Sequence, residues 1–154
     1  MKKPPSIRLR AFELRDYEKV RGLWEGMPGI GLNESDTRPA IALFLRRNRG
    51  FSLVATAGGI LVGAVLCGHD GRRGYLHHLA VLQEWRRRGT GRRMVEACLE
   101  RLAAAGIPKC NIFLFADNTR GRAFWRRNGW MVREDLKVMQ RPTRGRVCRP
   151  DTGC

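Results

Sequence analysis

The sequence predicts a mixed α/β domain, and three observations carry that expectation. Apolar runs with a period of two take turns along the chain with stretches whose apolar residues recur every three to four positions. Gly58-Gly59 separates two β-rich runs, the mark of a hairpin. A basic, glycine-containing turn, Arg86-Arg87-Arg88-Gly89-Thr90-Gly91, joins a strand-like run to a helix-like one. With 154 residues the chain has room for one such domain and its core.

The elements follow in order. Ile7 to Phe12 alternates and predicts a strand. Asp16 is placed to cap a helix from Tyr17 to about Gly26, with Val20, Leu23 and Trp24 on one face. Met27 to Asn33 is rich in backbone breakers and predicts a loop, after which Ser35 or Asp36 starts a second helix through Ile41, Leu43, Phe44 and Leu45. Phe51 to Ala57 and Ile60 to Cys67 form the hairpin, His69 to Gly74 turns, and Tyr75 to Val81 is the next strand. Thr90 to Ala105 carries the stripe Met94, Val95, Cys98, Leu99, Leu102 and is stopped by Gly106 and Pro108. Cys110 to Ala116 predicts a buried strand, and Asp117 or Asn118 caps a fourth helix ending at Asn128-Gly129. Trp130 to Arg133 and Leu136 to Met139 predict a closing pair of strands. The domain spans 1–140, and 141–154, almost without apolar residues, predicts a disordered basic tail.

Composition narrows the class. The hydrophobic fraction of 43% is ordinary, whereas 29% charged residues and a net charge of +16 are not. Only five of the 30 basic residues are lysine, and arginine forks around phosphate and carboxylate oxygens, which favours a polyanionic ligand. Nucleic acid is the weaker alternative, because the arginines are spread along the chain rather than interleaved with aromatics. No run approaches the roughly 20 apolar residues of a membrane span, and Met1 to Pro5 leads into no apolar signal region. Five cysteines, an odd number without a C-x-x-C, predict a reduced, cytoplasmic protein with no metal site.

The glycine turn is built for an anion. The first N–H groups of a helix have no internal partner, the dipole adds positive charge there, and glycine lets backbone approach a phosphate. No lysine-serine or lysine-threonine pair follows the glycines, which excludes a P-loop, and Met94 stands where a dinucleotide fingerprint needs its third glycine. What fits is Arg-x-x-Gly-x-Gly, at Arg86, Gly89 and Gly91, directly after a strand ending Leu79-Ala80-Val81. Downstream, Asn118 is followed at seven, eleven and twelve residues by Trp125, Gly129 and Trp130.

Together these blocks resemble the GNAT superfamily of acyl-CoA-dependent N-acyltransferases, in element order over about residues 6–140 and in detail over 60–130. The resemblance implies a twisted, mostly antiparallel sheet of six or seven strands, with the fourth splayed from the fifth, flanked by four helices. It implies acetyl-CoA as donor. The pyrophosphate would lie on the backbone from Arg87 to Arg92, spanning Arg88, Gly89, Thr90 and Gly91 after Arg86. The pantetheine arm would lie against the main chain of Leu79, Ala80 and Val81, with Asn118, Arg122 and Trp125 contributing from the fourth helix.

The acceptor implied is a primary amine on a small molecule or peptide, entering near the loop from Met27 to Asn33 beside Trp24 and Tyr75. His77 is the first candidate for the base, because imidazole titrates near neutrality and the strand resembles that of arylalkylamine N-acetyltransferases. Strict alternation puts Tyr75, His77 and Leu79 on one face and His78 on the other, which also speaks against a metal held by the two histidines; a bulge would reverse the assignment and keeps His78 open. The sequence departs from the family at Trp125, where tyrosine is usual; indole does not ionise near neutral pH and supplies no general acid. Two alternatives stand beside this: a nucleic-acid- or ribosome-associated basic protein, and a CoA-binding protein with little catalysis. A monomer or homodimer fits each.

Overall fold

In a computed structural model, which describes residues 5–144, the chain folds around one five-stranded sheet. The strands are β1 (Ile7–Ala11), β2 (Leu53–Ala57), β3 (Ile60–His69), β4 (Gly74–Val81) and β5 (Cys110–Ile112), side by side in chain order. The first three pairings are antiparallel and β4 with β5 is parallel. The parallel pairing follows from the crossover between them, since α3 (Thr90–Ala104) carries the chain back along the sheet.

Alternation along the strands splits the core in two. Towards α1 (Tyr17–Glu25) and α2 (Arg38–Arg47) the sheet presents Val54, Ala64, Leu66 and Ala80, packed with Val20, Leu23, Trp24 and Ile41. Towards α3 it presents Leu53, Ala55, Val65, Cys67, Leu76 and Val81, which meet Met94, Val95, Cys98 and Leu102. Each large side chain fully buried here stabilises the fold by about 1.5–3 kcal/mol relative to exposure. Gly74 is the point of closest approach, because a Cβ there would lie 2.5 Å from Cδ1 of Leu102. α4 (Thr119–Arg127) lies against the start of α3, with the Phe124 ring over Gly91.

Three expectations need correction. The second helix is capped by Thr37, with Pro39 in its first turn, and not by Ser35 or Asp36. Those two belong to a separate 3-10 turn (Glu34–Asp36) closed by a capping box between Asn33 and Asp36. The fifth strand ends at Ile112 instead of Ala116, so β5 offers only three residues of edge. Finally, neither Trp130 to Arg133 nor Leu136 to Met139 forms a strand, and the sheet has five strands rather than six or seven. Trp130 still packs on Trp125, but Met131, Val138 and Met139 are 81%, 71% and 95% exposed. The segment bonds to itself through the Arg133–Asp135 pair, and apolar alternation makes no strand without a long enough edge to pair with.

Two thiols, Cys67 and Cys110, are held in the protonated form. Hydrogen bonding to Cys98 and then burial push the Cys67 thiol up, and burial first of all pushes Cys110 up to about 12. Cys148 and Cys154 lie outside the described residues, as does most of the predicted tail.

The β1–α1 junction is fixed by Arg10, whose guanidinium donates to both carboxylate oxygens of Asp16 at 2.7 and 2.8 Å. That bond holds the Asp16 carboxyl below its ordinary range, against the opposing effect of burial. A carboxyl lowered in the folded state adds stability above its unfolded pKa, near 4, and that stability is lost as pH falls through the folded value. Asp16→Asn should therefore be less stable than wild type in urea at neutral pH, with the gap narrowing as the titration is repeated towards about pH 3.

Candidate active site

The site begins with a break in β4. Leu66 of β3 pairs with His77 and Ala64 with Ala80, so His78 and Leu79 together face Val65. The extra residue is a β-bulge, and His78 takes φ 53°, in the left-handed region that non-glycine residues seldom occupy. Pairing with β5 has already stopped at Leu76–Ile112, so β4 and β5 diverge from the bulge onward. Leu82 N–H donates to Val62 at 2.8 Å on the β3 side, and alternation turns the main chain of Val81 and Leu79 towards the gap.

Three contacts hold His78. The indole Nε1 of the fully buried Trp24 donates to the His78 carbonyl at 3.0 Å, and the two rings meet edge to face at 5.0 Å. His78 Nε2 lies 2.8 Å from Oδ1 of Asp36. Asp36 is itself 3% exposed; its other carboxylate oxygen accepts from Asn33 N–H at 3.0 Å, and its main-chain carbonyl accepts from Tyr17 Oη at 2.8 Å and Arg21 at 3.1 Å.

The bulge rearranges the faces expected from strict alternation. Tyr75 and His77 do share a face, but His78 joins them on the α1–α2 side, while Leu79 packs with the cluster under α3. The extra residue shifts the period by one, which is why His78 and Leu79 exchange sides. The same shift removes the alternation that set the two histidines apart as metal ligands; among the described residues no group of three or more His, Cys, Asp or Glu is placed to hold a metal ion. His77 is surrounded by rings: Tyr75 and Phe113 lie nearly parallel to it at 6.3 and 6.4 Å, and Phe44 of α2 meets it edge-on at 6.2 Å. Burial lowers its pKa, as does the neighbouring His78, with Asp36 opposing. A cavity of about 230 Å³ opens beside these groups, walled by Phe44, Tyr75 and His77 with Arg47 and Asp70 at its polar side.

At the far end of β4 the glycine turn has a backbone geometry that could hold an anion. Arg87 at φ 57° and Gly89 at φ 73° bend the backbone through the left-handed region, and no side chain caps the first turn of α3. Thr90 is buried with its hydroxyl donating to Trp85, so its part in the turn is structural as well as main-chain. Arg88 lies over the Trp85 ring at 5.0 Å, and Arg92 is exposed. Arg86 folds back, donating from Nε to the Val81 carbonyl at 2.9 Å and reaching Sδ of Met27 at 2.9 Å. A polar cavity of about 340 Å³ lies among Gln83, Arg86, Arg87 and Arg120, a donor set suited to a doubly charged phosphate group.

The fourth-helix candidates are placed differently from one another. Asn118 caps α4, its side chain accepting from Gly121 N–H at 2.8 Å, and a Cβ on Gly29 would lie 2.7 Å from Asn118 Nδ2. The loop from Met27 to Asn33 thus touches both the glycine turn and α4, with Gly31 against Phe115. Arg122 is engaged with the Ala116 carbonyl at 2.7 Å. Trp125 packs between Phe124 and Trp130, at 5.2 and 4.9 Å. Sequence reasoning missed Asp36 and Arg120. The pattern Asn33-x-x-Asp36 was legible as a capping box, but nothing local marks that its carboxylate reaches 42 residues ahead to His78.

An opened strand, an anion cradle and paired imidazoles converge here, and comparison with known proteins agrees. The family model described as the acetyltransferase (GNAT) family matches residues 17–130. An acetyltransferase of Yersinia enterocolitica is 33% identical over 112 residues, covering 73% of this chain and 79% of that protein. Ard1 from Thermoplasma volcanium shares the fold with TM-score 0.72 at 21% identity, over 82% of this chain and 84% of that one. The PaiA N-acetyltransferase from Thermoplasma acidophilum, solved in complex with coenzyme A, superposes with TM-score 0.69 at 17% identity, over 83% and 91% of the two chains. The chain belongs to the GNAT acetyltransferase family.

Asn118→Ala removes the only side-chain cap of α4 and should cost about 1 kcal/mol in urea unfolding.

Proposed function

We propose that this GNAT-family chain transfers an acetyl group from acetyl-CoA to a primary amine of a small molecule or peptide, by direct attack within a ternary complex. The observation that carries the proposal is the divergence of β4 from β5 at the His78 bulge, ending in the cradle at Arg86 to Arg92. The main chain of Leu79 and Val81, left unpaired by β5, suits the amides of a pantetheine arm, as an antiparallel partner would. Ala80 turns its carbonyl towards β3, near Gly63, and contributes to the wall instead. The pyrophosphate fits the first-turn N–H groups of α3 and the Arg86, Arg87 and Arg120 side chains.

Acetyl transfer needs a neutral amine, a polarised thioester carbonyl and an exit for the thiolate. The amine loses its proton to an imidazole on the α1–α2 face of β4, where His77 and His78 both lie. Burial keeps His77 neutral at physiological pH and so able to accept. The Leu79 N–H is the oxyanion donor the gap presents. Attack by nitrogen forms the C–N bond, and collapse breaks the C–S bond to release the thiolate. Trp125 packs against Phe124 and Trp130 and supplies contact, not a proton. Tyr75 and Phe44 form an aromatic wall for the acceptor.

Calorimetric titration with acetyl-CoA should show binding by the wild-type protein and none by Gly89→Glu, whose carboxylate would stand in the cradle. A screen of primary amines, followed by thiol release, should find turnover. Absence of acetyl-CoA binding by the folded wild type would sink the proposal.

A further inference from the structure

Of the two histidines on the acceptor face, only one is oriented by a charged partner. His77 makes no hydrogen bond to a described residue and is located by rings alone. His78 is fixed at its carbonyl by Trp24, at its ring by edge-to-face contact with the same indole, and at Nε2 by Asp36. A carboxylate oxygen only accepts, so the proton of the neutral ring sits on Nε2 and the lone pair on Nδ1. Nδ1 has no partner among the described residues, and no buried side-chain nitrogen or oxygen there lacks one. Nδ1 is therefore open to solvent, consistent with a side chain 18% exposed.

The left-handed backbone at His78 points the same way. Such a conformation is unfavourable for a residue with a Cβ and persists where surrounding contacts over-determine it, as Trp24 and Asp36 do here. A base, an orienting carboxylate and an adjacent main-chain N–H at Leu79 form the arrangement that acyl transfer requires.

We propose that His78 takes the proton from the acceptor amine and that Asp36 is its positioning residue. The inference rests on the transferase function proposed above. The acceptor arrives as an ammonium, and Nδ1 of His78 accepts one N–H proton while the electron pair stays on nitrogen. The neutral amine forms the C–N bond, and the carbonyl electrons move to oxygen, facing Leu79 N–H. Their return breaks the C–S bond. The departing thiolate takes the second nitrogen proton, and His78 returns the first to solvent. Asp36 stabilises the imidazolium formed between these events. The titratable groups facing the pair are His77 on β4 and, from α1, Tyr17 and Arg21, both bonded to the Asp36 carbonyl; Trp24 adds no titrating group.

The test compares His78→Gln, Asp36→Asn and His77→Gln, each checked for folding by thermal melting and for acetyl-CoA binding by calorimetry. With the amine found in the screen, His78→Gln should lower kcat roughly 100-fold, the usual contribution of a general base. Its acetyl-CoA affinity should be unchanged. Asp36→Asn should lower kcat by less than His78→Gln does, and His77→Gln should leave the tautomer of His78 unchanged. Independently of any acceptor, long-range ¹H–¹⁵N correlation of the wild-type side chain should show the neutral His78 ring protonated on Nε2 and bare at Nδ1, a preference weakened in Asp36→Asn. Full kcat in His78→Gln, or a neutral ring protonated at Nδ1, overturns the proposal while acetyl-CoA binding leaves the transferase function standing. If no amine is turned over, the tautomer decides.

Discussion

The structure depends on one extra residue in β4. Without the bulge at His78, alternation would continue, β4 could go on pairing with β5, and the sheet would have no opening. With it, the strand bends away from its neighbour at the point where the crossover through α3 brings a helix N-terminus alongside. The bend is costly for a residue with a side chain, and its stability comes from outside the strand. Trp24 on α1 and Asp36 in the turn before α2 each spend their polar group on the same histidine. The first helical layer is therefore more than a cover for the apolar face of the sheet; it fixes the defect that the sheet contains.

The second theme is arginine. Much of the +16 charge is exposed, yet around the glycine turn individual side chains have separate duties. Arg86 answers a strand carbonyl, Arg88 lies on an indole, Arg122 ties down the loop before α4, and Arg120 faces the polar cavity. A guanidinium suits all four tasks because its planar fork donates in several directions and stacks on rings. Net charge alone would suggest a uniform basic surface, and the geometry distinguishes the anchoring arginines from Arg120, which faces the cavity.

Local patterns in the sequence were reliable wherever the structure is local. The Gly58-Gly59 hairpin, the stripe on α3, the stop at Gly106 and the cap at Asn118 were all readable from nearest neighbours. The glycine turn was readable too as a strand-to-helix junction, because glycine spacing encodes its left-handed backbone at Gly89. What escaped was long-range. Period two alone cannot place a bulge, so strict alternation exchanged the faces of His78 and Leu79 while only leaving the reversal open, and Asp36 looked like a helix cap because its partner lies far along the chain. The expected closing strands erred in the other direction: Leu136 and Val138 alternate correctly, but β5 is too short to receive them.

The contact between Arg86 and Val81 has a thermodynamic consequence. The carbonyl that an incoming amide group would seek is already satisfied, so docking there is an exchange of partners rather than the gain of a new bond. The same guanidinium touches Met27 at the edge of the loop that leans on α4. A competitor that displaced the whole guanidinium would also release Arg86 from the loop. In that event occupancy of the cleft and freedom of the loop at its mouth would be linked quantities, each altering the other by the same free energy.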